Sequence, residues 1–285
     1  MKNQLAFMHI PKSAGTALAN AIMALHPFSN ETHGWDRSLF GSYDEFDTWD
    51  QSRRPWMFLS TDEIPDGKDF IFGHIALSNI LTRYSDARIF TVIRHPFSRI
   101  MSFWTFWRGK PDGLQSDVGT YAEYVYLARG SLESFLSNVS ISPQTDNVVA
   151  RMLLWPHVLI PDDDFIQEHH INDIVELCLN KLEKFDFIDV YENEDWVRNF
   201  QSWLGLPIAV GMDNVTESPA PDLRSNIHHE LSESCKEYMI QRTQIDDIIW
   251  RTIALRYLAP LKVDHLYNKT FEYSIEKFDR ILSGN

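Results

Sequence analysis

The chain has 285 residues, of which 44% are hydrophobic and 13% aromatic, so it can bury a large core as a single domain over residues 1–285. Its formal net charge of −14 argues against a general nucleic-acid binder, an anionic-membrane binder or a protein that acts on long polyanions. The two cysteines show no paired spacing, no apolar stretch is long enough to span a membrane, and strand-like sequence begins at Leu5. We therefore expect a cytoplasmic protein without a signal peptide.

The first predicted element is a strand, loop and helix near the amino terminus. Residues 5–10 form a nearly continuous apolar run that is typical of a buried parallel strand, and Pro11 ends it. Good helix formers begin at Thr16 and continue to Leu25. The loop between them directs unpaired backbone N–H groups and the positive end of the helix dipole at one point, which suits a phosphate or a sulfate.

The loop itself carries a cation, two hydroxyls and a glycine that lets a ligand approach the backbone. It does not match the nucleotide P-loop GxxxxGK[ST], because its lysine precedes the glycine and no Ser or Thr follows where Mg²⁺ would be held. Residues 9–16, HIPKSAGT, instead resemble the 5′-phosphosulfate loop of sulfotransferases that use 3′-phosphoadenosine 5′-phosphosulfate (PAPS), in the version of the carbohydrate (Golgi-type) members. The alternative is an ordinary strand-to-helix turn with a surface lysine. The resemblance implies donor contacts from Lys12, Ser13, Ala14, Gly15 and Thr16.

A long irregular segment follows. Residues 26–68 are polar with scattered aromatics and no sustained period, so they are either a substrate-binding lid or a surface loop pinned by aromatic side chains. We interpret His33 within this segment as structural or solvated. Residues 69–75 then form an apolar strand candidate that contains Gly73 and His74.

A second strand-to-helix junction carries the second motif. Residues 87–93 predict a strand that runs into Arg94, and helical spacing follows from Pro96. In an open parallel sheet, ligands collect at such carboxyl ends. Residues 94–104, RHPFSRIMSFW, resemble the 3′-phosphate motif of the same family, an arginine with a serine eight positions later. The resemblance implies that Arg94 and Ser102 grip the 3′-phosphate, against the alternative of a surface-pair arginine and a helix-filling serine.

The rest of the chain predicts further elements but only one weak motif. Asp146 to Leu153 is similar to a segment near the cofactor in the carbohydrate members, so Arg151 is either a further cofactor-binding cation or part of a solvated helix face. The acidic triplet 162–164 indicates a helix start. Residues 259–285 form a C-terminal extension without a motif. Helices are predicted over 121–128, 131–136, 147–155, 163–182, 194–204, 230–258 and 268–282, and a strand over 185–191.

Alternating strands and helices that open with an anion loop predict an α/β fold, with an open, mainly parallel sheet and helices on both faces. The resemblance implies the sulfotransferase version of the P-loop kinase-like fold. It also implies transfer of a sulfuryl group from PAPS to an acceptor hydroxyl, on a carbohydrate or glycoconjugate, or less commonly to an amine. Lys12 would stabilise charge on the leaving phosphate. By the same resemblance His74 is the general base, and a buried core histidine is the alternative.

Two other functional classes remain open from the sequence. A small-molecule kinase would share the fold and the phosphate loop but would need Mg²⁺ ligands. A non-catalytic binding module would use the same fold without the chemistry. No metal is predicted, because the histidine pairs at 169–170 and 228–229 lack partners at ligand spacing and HExxH is absent. The acceptor and the oligomeric state have no sequence signature.

Overall fold

The computed structural model describes residues 4–25, 28–110, 120–211 and 216–284. Within them the strands form one six-stranded sheet in the order β3-β2-β4-β1-β5-β6, and every neighbouring pair is parallel. This arrangement confirms the predicted α/β fold with its parallel sheet. The strands are β1 Leu5–Met8, β2 Glu31–Asp36, β3 Met57–Phe58, β4 Phe70–His74, β5 Arg88–Ile93 and β6 Phe187–Val190.

Helices connect the strands and pack around the sheet. Three of them follow strands β1, β4 and β5 directly, as expected of a parallel sheet whose crossovers are helical. Among the described residues the helices are α1 Gly15–Met23, α2 Leu77–Arg83, α3 Pro96–Arg108, α4 Thr120–Ala128, α5 Leu132–Ser137, α6 Ser142–Thr145, α7 Val148–Leu154, α8 Ile171–Lys181, α9 Trp196–Leu204, α10 Ile227–Glu230, α11 Glu233–Ala254 and α12 Pro260–Ser283. No described helix is long and apolar enough to cross a membrane.

The central strand fixes the position of the site. All four residues of β1 are buried, which explains its continuous apolar sequence. Leu5 is in register with Phe70 of β4 on one side and with Arg88 of β5 on the other. The carboxyl ends of these three strands therefore lie side by side, and each is followed by one of the segments predicted to carry function.

The strands predicted at residues 5–10, 69–75, 87–93 and 185–191 are confirmed as β1, β4, β5 and β6. The interpretation of residues 26–68 as an irregular excursion was wrong, because this segment supplies β2 and β3 to the sheet. Strand β2 has the sequence ETHGWD and is only partly buried, so it lacks the apolar pattern of a central strand. Among the aromatics of residues 26–68, Phe40, Phe46 and Trp49 are buried in the core, whereas Trp56 is 42% exposed.

The predicted helix at 163–182 was wrong at its start, since α8 begins only at Ile171. The acidic triplet before it holds a neighbouring segment instead: the Asp163 carboxylate accepts the backbone N–H of Ser42 at 2.9 Å. At the other end of the chain, the helix predicted over 268–282 is present but longer, as α12. Phe278 and Leu282 of that helix are fully buried, so the C-terminal segment belongs to the core.

Candidate active site

The loop between β1 and α1 has a backbone shaped for an anion. Lys12 and Ala14 both adopt positive φ angles, 66° and 60°, which non-glycine residues rarely do. When residues with positive and negative φ angles alternate along a loop, successive backbone N–H groups turn toward the same side and form a concave anion site. Ala14 is the N-cap of α1 and offers no side-chain acceptor, so no side-chain cap occupies the first-turn N–H groups. Within the loop the Ser13 N–H donates to the Ile10 carbonyl at 3.3 Å, and the first-turn N–H groups of α1 remain available to a ligand.

Gly15 is required by close packing in this loop. A Cβ atom on Gly15 would lie 2.0 Å from Cδ2 of His9, far inside van der Waals contact. The His9 ring stacks on Phe7 with ring centroids 5.3 Å apart, which holds it against the glycine. Burial, and then the charge of His74, lowers the pKa of His9 well below its ordinary value, so His9 is neutral at physiological pH.

The two loop hydroxyls differ in exposure. Ser13 is 2% exposed, and its Oγ has no hydrogen-bond partner among the described residues. A buried hydroxyl without a partner is costly, so its presence here points to a ligand that supplies one. Thr16 is exposed at the start of α1. The loop thus offers one buried and one accessible hydroxyl beside the backbone donors.

Lys12 lies against an aromatic ring and near other cations. Its Nζ is 3.8 Å from the ring centroid of Phe106, a cation–π contact made across from α3. Burial, followed by the charges of Arg94, Lys110 and Lys277, lowers the pKa of Lys12 to about 7. Without an anion the ammonium is thus partly deprotonated at neutral pH, and an anion would restore its charge.

Arg94 ties the second motif to the first. Its Nη1 donates to the Lys12 carbonyl at 3.2 Å, while its Nε is buried without a partner among the described residues. Burial lowers its pKa, and the charge of Glu192 opposes that shift. Glu192 is itself held at both oxygens, by the His95 backbone N–H and by Trp250 Nε1, each at 3.0 Å. Arg94 is therefore oriented at the loop with a donor to spare.

Ser102 lies on α3, which begins at Pro96 directly after the strand that ends in Ile93. It is about two helical turns in from the start and is 5% exposed. The same helix carries Phe106 on the next turn, the residue that contacts Lys12. The sequence motif of Arg94 and Ser102 is thus located on the strand and helix that adjoin the anion loop.

His74, the last residue of β4, contacts the loop strand directly. Its Nδ1 lies 2.6 Å from the carbonyl oxygen of His9. Because a carbonyl only accepts, Nδ1 carries the proton, and the lone pair of Nε2 is left for another partner. The rings of His9 and His74 have centroids 4.5 Å apart. Burial lowers the pKa of His74 to about 4, so it is neutral at physiological pH.

A cavity of about 210 Å³ opens beside His74. Its walls combine aromatic faces with polar groups from the donor loop and from β2; they include His9, Thr16, His33, Trp35, Phe72 and His74. His33, which the sequence led us to interpret as structural or solvated, lines this cavity, and its Nδ1 is 3.4 Å from the Glu31 carboxylate. The cavity adjoins the anion loop through His9 and Thr16.

Arg151 is the predicted cofactor cation that the structure corrects. Its guanidinium donates to the backbone and carboxylate of Asp146 and to the carbonyls of Pro161 and Asp164, at 2.6–2.7 Å. The side chain is 2% exposed. These contacts occupy four of its five donors inside the protein, so Arg151 is a structural residue that ties α7 to the following loop.

Comparison with known proteins gives one family. The model of the sulfotransferase family matches residues 1–257. No curated protein matches the sequence. Among solved structures, the chain is similar to the mouse sulfotransferase SULT7A1 complexed with PAP, at 15% identity and a TM-score of 0.35, covering 100% of this chain and 89% of that one. The family match favours the sulfotransferase interpretation over the kinase and the binding module.

Proposed function

The chain belongs to the sulfotransferase family and is a PAPS-dependent sulfotransferase, and we propose that it sulfates a hydroxyl of a carbohydrate or glycoconjugate with His74 as the general base. The observation that carries this proposal is the meeting of Lys12, Arg94 and His74 around the carboxyl end of β1. Lys12 and Arg94 are joined at 3.2 Å, and His74 bonds the residue at the start of the same loop at 2.6 Å.

The residues present fit an anionic nucleotide donor. The orphan Oγ of Ser13 and the orphan Nε of Arg94 are buried donors that two phosphate groups would satisfy. We assign the 5′-phosphosulfate to Lys12, Ser13, Ala14, Gly15 and Thr16, and the 3′-phosphate to Arg94 and Ser102. When bound, the donor supplies the sulfuryl group and departs as adenosine 3′,5′-bisphosphate (PAP).

Lys12 acts on charge at the leaving group. As the sulfur–oxygen bond to the phosphate breaks, negative charge grows on the bridging oxygen, and an ammonium beside it stabilises that charge. The uncharged Phe106 ring against Lys12 limits its solvation, which strengthens the interaction. Loop N–H groups act on the same anion without having to reorient.

His74 accepts the proton of the acceptor hydroxyl. Its Nδ1–H is committed to the His9 carbonyl, so Nε2 is the basic atom. With a pKa of about 4, His74 is in its base form throughout the physiological range. It is a weak base, and proton transfer must therefore accompany formation of the new oxygen–sulfur bond.

The cavity beside His74 is the proposed acceptor site. Trp35 offers an aromatic surface against which a sugar ring can pack, and His33 with Glu31 offers polar contacts to sugar hydroxyls. A volume of about 210 Å³ is suited to one sugar ring. These features support a carbohydrate over a long lipid chain.

The two cysteines support a reducing compartment. Cys178 and Cys235 are both free and buried, and burial raises the pKa of each thiol, so neither is poised to react. We propose a cytoplasmic location on this ground.

The test is transfer of label from ³⁵S-labelled PAPS. The purified protein is incubated with separate panels of glycans, lipids and small aromatic alcohols, and the labelled products are separated. The proposal expects a labelled glycan or sugar product. Label on lipid or aromatic alcohols alone would contradict the carbohydrate assignment, and no label in any panel while PAP binds would contradict a small hydroxyl acceptor of these classes.

A further inference from the structure

We propose that Lys277, on the C-terminal helix α12, is a further donor-binding residue that contacts the 3′-phosphate of PAPS; this rests on the proposed donor site. The family match ends at residue 257, and α12 begins at Pro260. The proposed contact is therefore contributed by a segment that lies outside the matched family region.

Helix α12 runs alongside α3 in the same direction. Near its start, Tyr267 packs on His95 with ring centroids 4.1 Å apart. One turn further on, Phe271 packs on Phe97 at 4.6 Å. Phe278 then joins the buried apolar cluster formed around α3. Residues later in α12 thus meet residues later in α3.

This register brings Lys277 to the level of the donor motif. It follows Phe271 by six residues, and the corresponding step from Phe97 along α3 reaches the neighbourhood of Ser102. Ser274 and Phe278 on either side of Lys277 are buried at 1% and 0% exposure. The intermediate exposure of Lys277 is consistent with a long side chain that emerges at the edge of the helix pair.

Lys277 belongs to a cluster of cations that would be stabilised by a bound anion. Burial, and then the charges of Arg94 and Arg280, lowers its pKa, and Lys277 in turn contributes to the lowered pKa of Lys12. Coulomb energy falls with distance, so these mutual effects indicate that Lys277 lies near both donor-site cations. No ion pair joins Lys277 to a carboxylate of the described residues. In a chain with a formal charge of −14, such a cluster is a localised anion site.

Among the neighbouring charges, that of Arg94 lowers the pKa of Lys277 the most. Only Glu192 among the described carboxylates acts on Arg94, and both its oxygens already accept hydrogen bonds. Because Glu192 already offsets part of the charge of Arg94, Arg94 alone would leave much of the charge of a 3′-phosphate uncompensated. Lys277 therefore complements Arg94 at the 3′-phosphate, whereas Lys12 acts at the transferred group.

The experiment compares PAP with adenosine 5′-phosphate by isothermal titration at pH 7, using wild type, Lys277→Gln, Lys277→Arg and Lys269→Gln. Lys269 is the matched control, because it lies on the same helix and is exposed. We expect Lys277→Gln to weaken PAP binding about 10-fold to 100-fold, the range for a charge-assisted hydrogen bond. Binding of adenosine 5′-phosphate should change little, Lys277→Arg should recover most of the PAP affinity, and Lys269→Gln should match wild type.

Each result decides a different statement. Wild type that fails to bind PAP overturns the proposed donor site itself. Wild type that binds PAP while Lys277→Gln binds it equally overturns only the role of Lys277, as does an equal loss of both nucleotides. A loss that Lys277→Arg does not recover, with a lowered melting temperature, would make Lys277 a packing residue. A second readout is the pH dependence of PAP affinity. In Lys277→Gln the loss of affinity at alkaline pH should begin at a higher pH than in wild type, because removing one cation beside Lys12 raises the pKa of free Lys12.

Discussion

Binding of PAP should draw a proton onto Lys12 at mildly alkaline pH. In the free protein the pKa of Lys12 is lowered to about 7, chiefly by burial and then by Arg94. Phosphate anions beside the ammonium favour its charged form, so the pKa should return toward the ordinary value of lysine when PAP binds. Below pH 7 Lys12 is already charged, and binding takes up no proton. Above pH 7 binding must recruit one.

The expected size follows from the two pKa values. At pH 8, one unit above the free pKa, about 0.9 of the free molecules have a neutral Lys12, so binding should take up about 0.9 proton. Affinity should fall by up to tenfold, or about 1.4 kcal/mol, for each further pH unit. The histidines near the loop do not interfere, since the pKa of His74 is about 4 and that of His95 about 3. The pKa of Lys277 is also lowered, so the same titration of Lys277→Gln separates its share of any proton uptake.

The assay is calorimetric titration with PAP at pH 7.5–9 in two buffers of different ionisation enthalpy, which measures proton uptake directly. Working above pH 7.5 avoids the second ionisation of the 3′-phosphate, near pH 6. Lys12→Arg is the control, because a guanidinium stays charged and should bind PAP without the proton uptake that belongs to Lys12. Flat affinity across this range with no proton uptake in wild type would refute the lowered pKa and the place of Lys12 at the donor.

Two further predictions concern the donor site. Arg94→Ala should weaken PAP binding by about 2–5 kcal/mol and leave adenosine 5′-phosphate binding nearly unchanged, because its buried Nε has no partner among the described residues and is available to the proposed 3′-phosphate. Equal losses in a parallel titration of both nucleotides would show that Arg94 does not read the 3′-phosphate. Gly15→Ala should lose PAP affinity and about 1–3 kcal/mol of stability, because its Cβ would lie 2.0 Å from the His9 ring. Urea unfolding measures the stability and PAP titration measures the affinity. A variant with wild-type stability and affinity would show that the His9 ring moves freely.

Local patterns made much of the fold predictable. Strands β1, β4 and β5 are continuous apolar runs because they are buried on both faces in the middle of the sheet. Strand β2 could not be recognised in the same way. Its sequence, ETHGWD, places His33 at the cavity and buries Asp36 among hydrogen bonds from Ala76 and Asn79. The strand pairs on one side with the two-residue strand β3. If the cavity holds the acceptor as proposed, the residues of β2 that line it serve ligand contacts, which would explain the weak hydrophobic pattern.

The residues of the proposed site also differ in how far the sequence could predict them. The loop from Lys12 to Thr16 and the pair Arg94 and Ser102 each depend on short-range geometry, which a motif records. Lys277 could not be found this way, because its position depends on how α12 packs on α3. The sequence could not show that Arg151 is bound within the protein, for a related reason. Its guanidinium donates to the carbonyls of Pro161 and Asp164, which lie in a loop beyond the helix.

The measurement that tests the central claim most directly is a single-turnover transfer from ³⁵S-labelled PAPS by wild type and His74→Gln, run with PAP titration and thermal melting on the same samples. With His74 as the base, the variant should bind PAP and melt nearly as wild type does, yet transfer label on the order of 10²–10⁴ times more slowly, the range for a positioned base. A variant that transfers label at close to the wild-type rate per folded molecule, with a lowered melting temperature, would contradict the account and make His74 a core histidine.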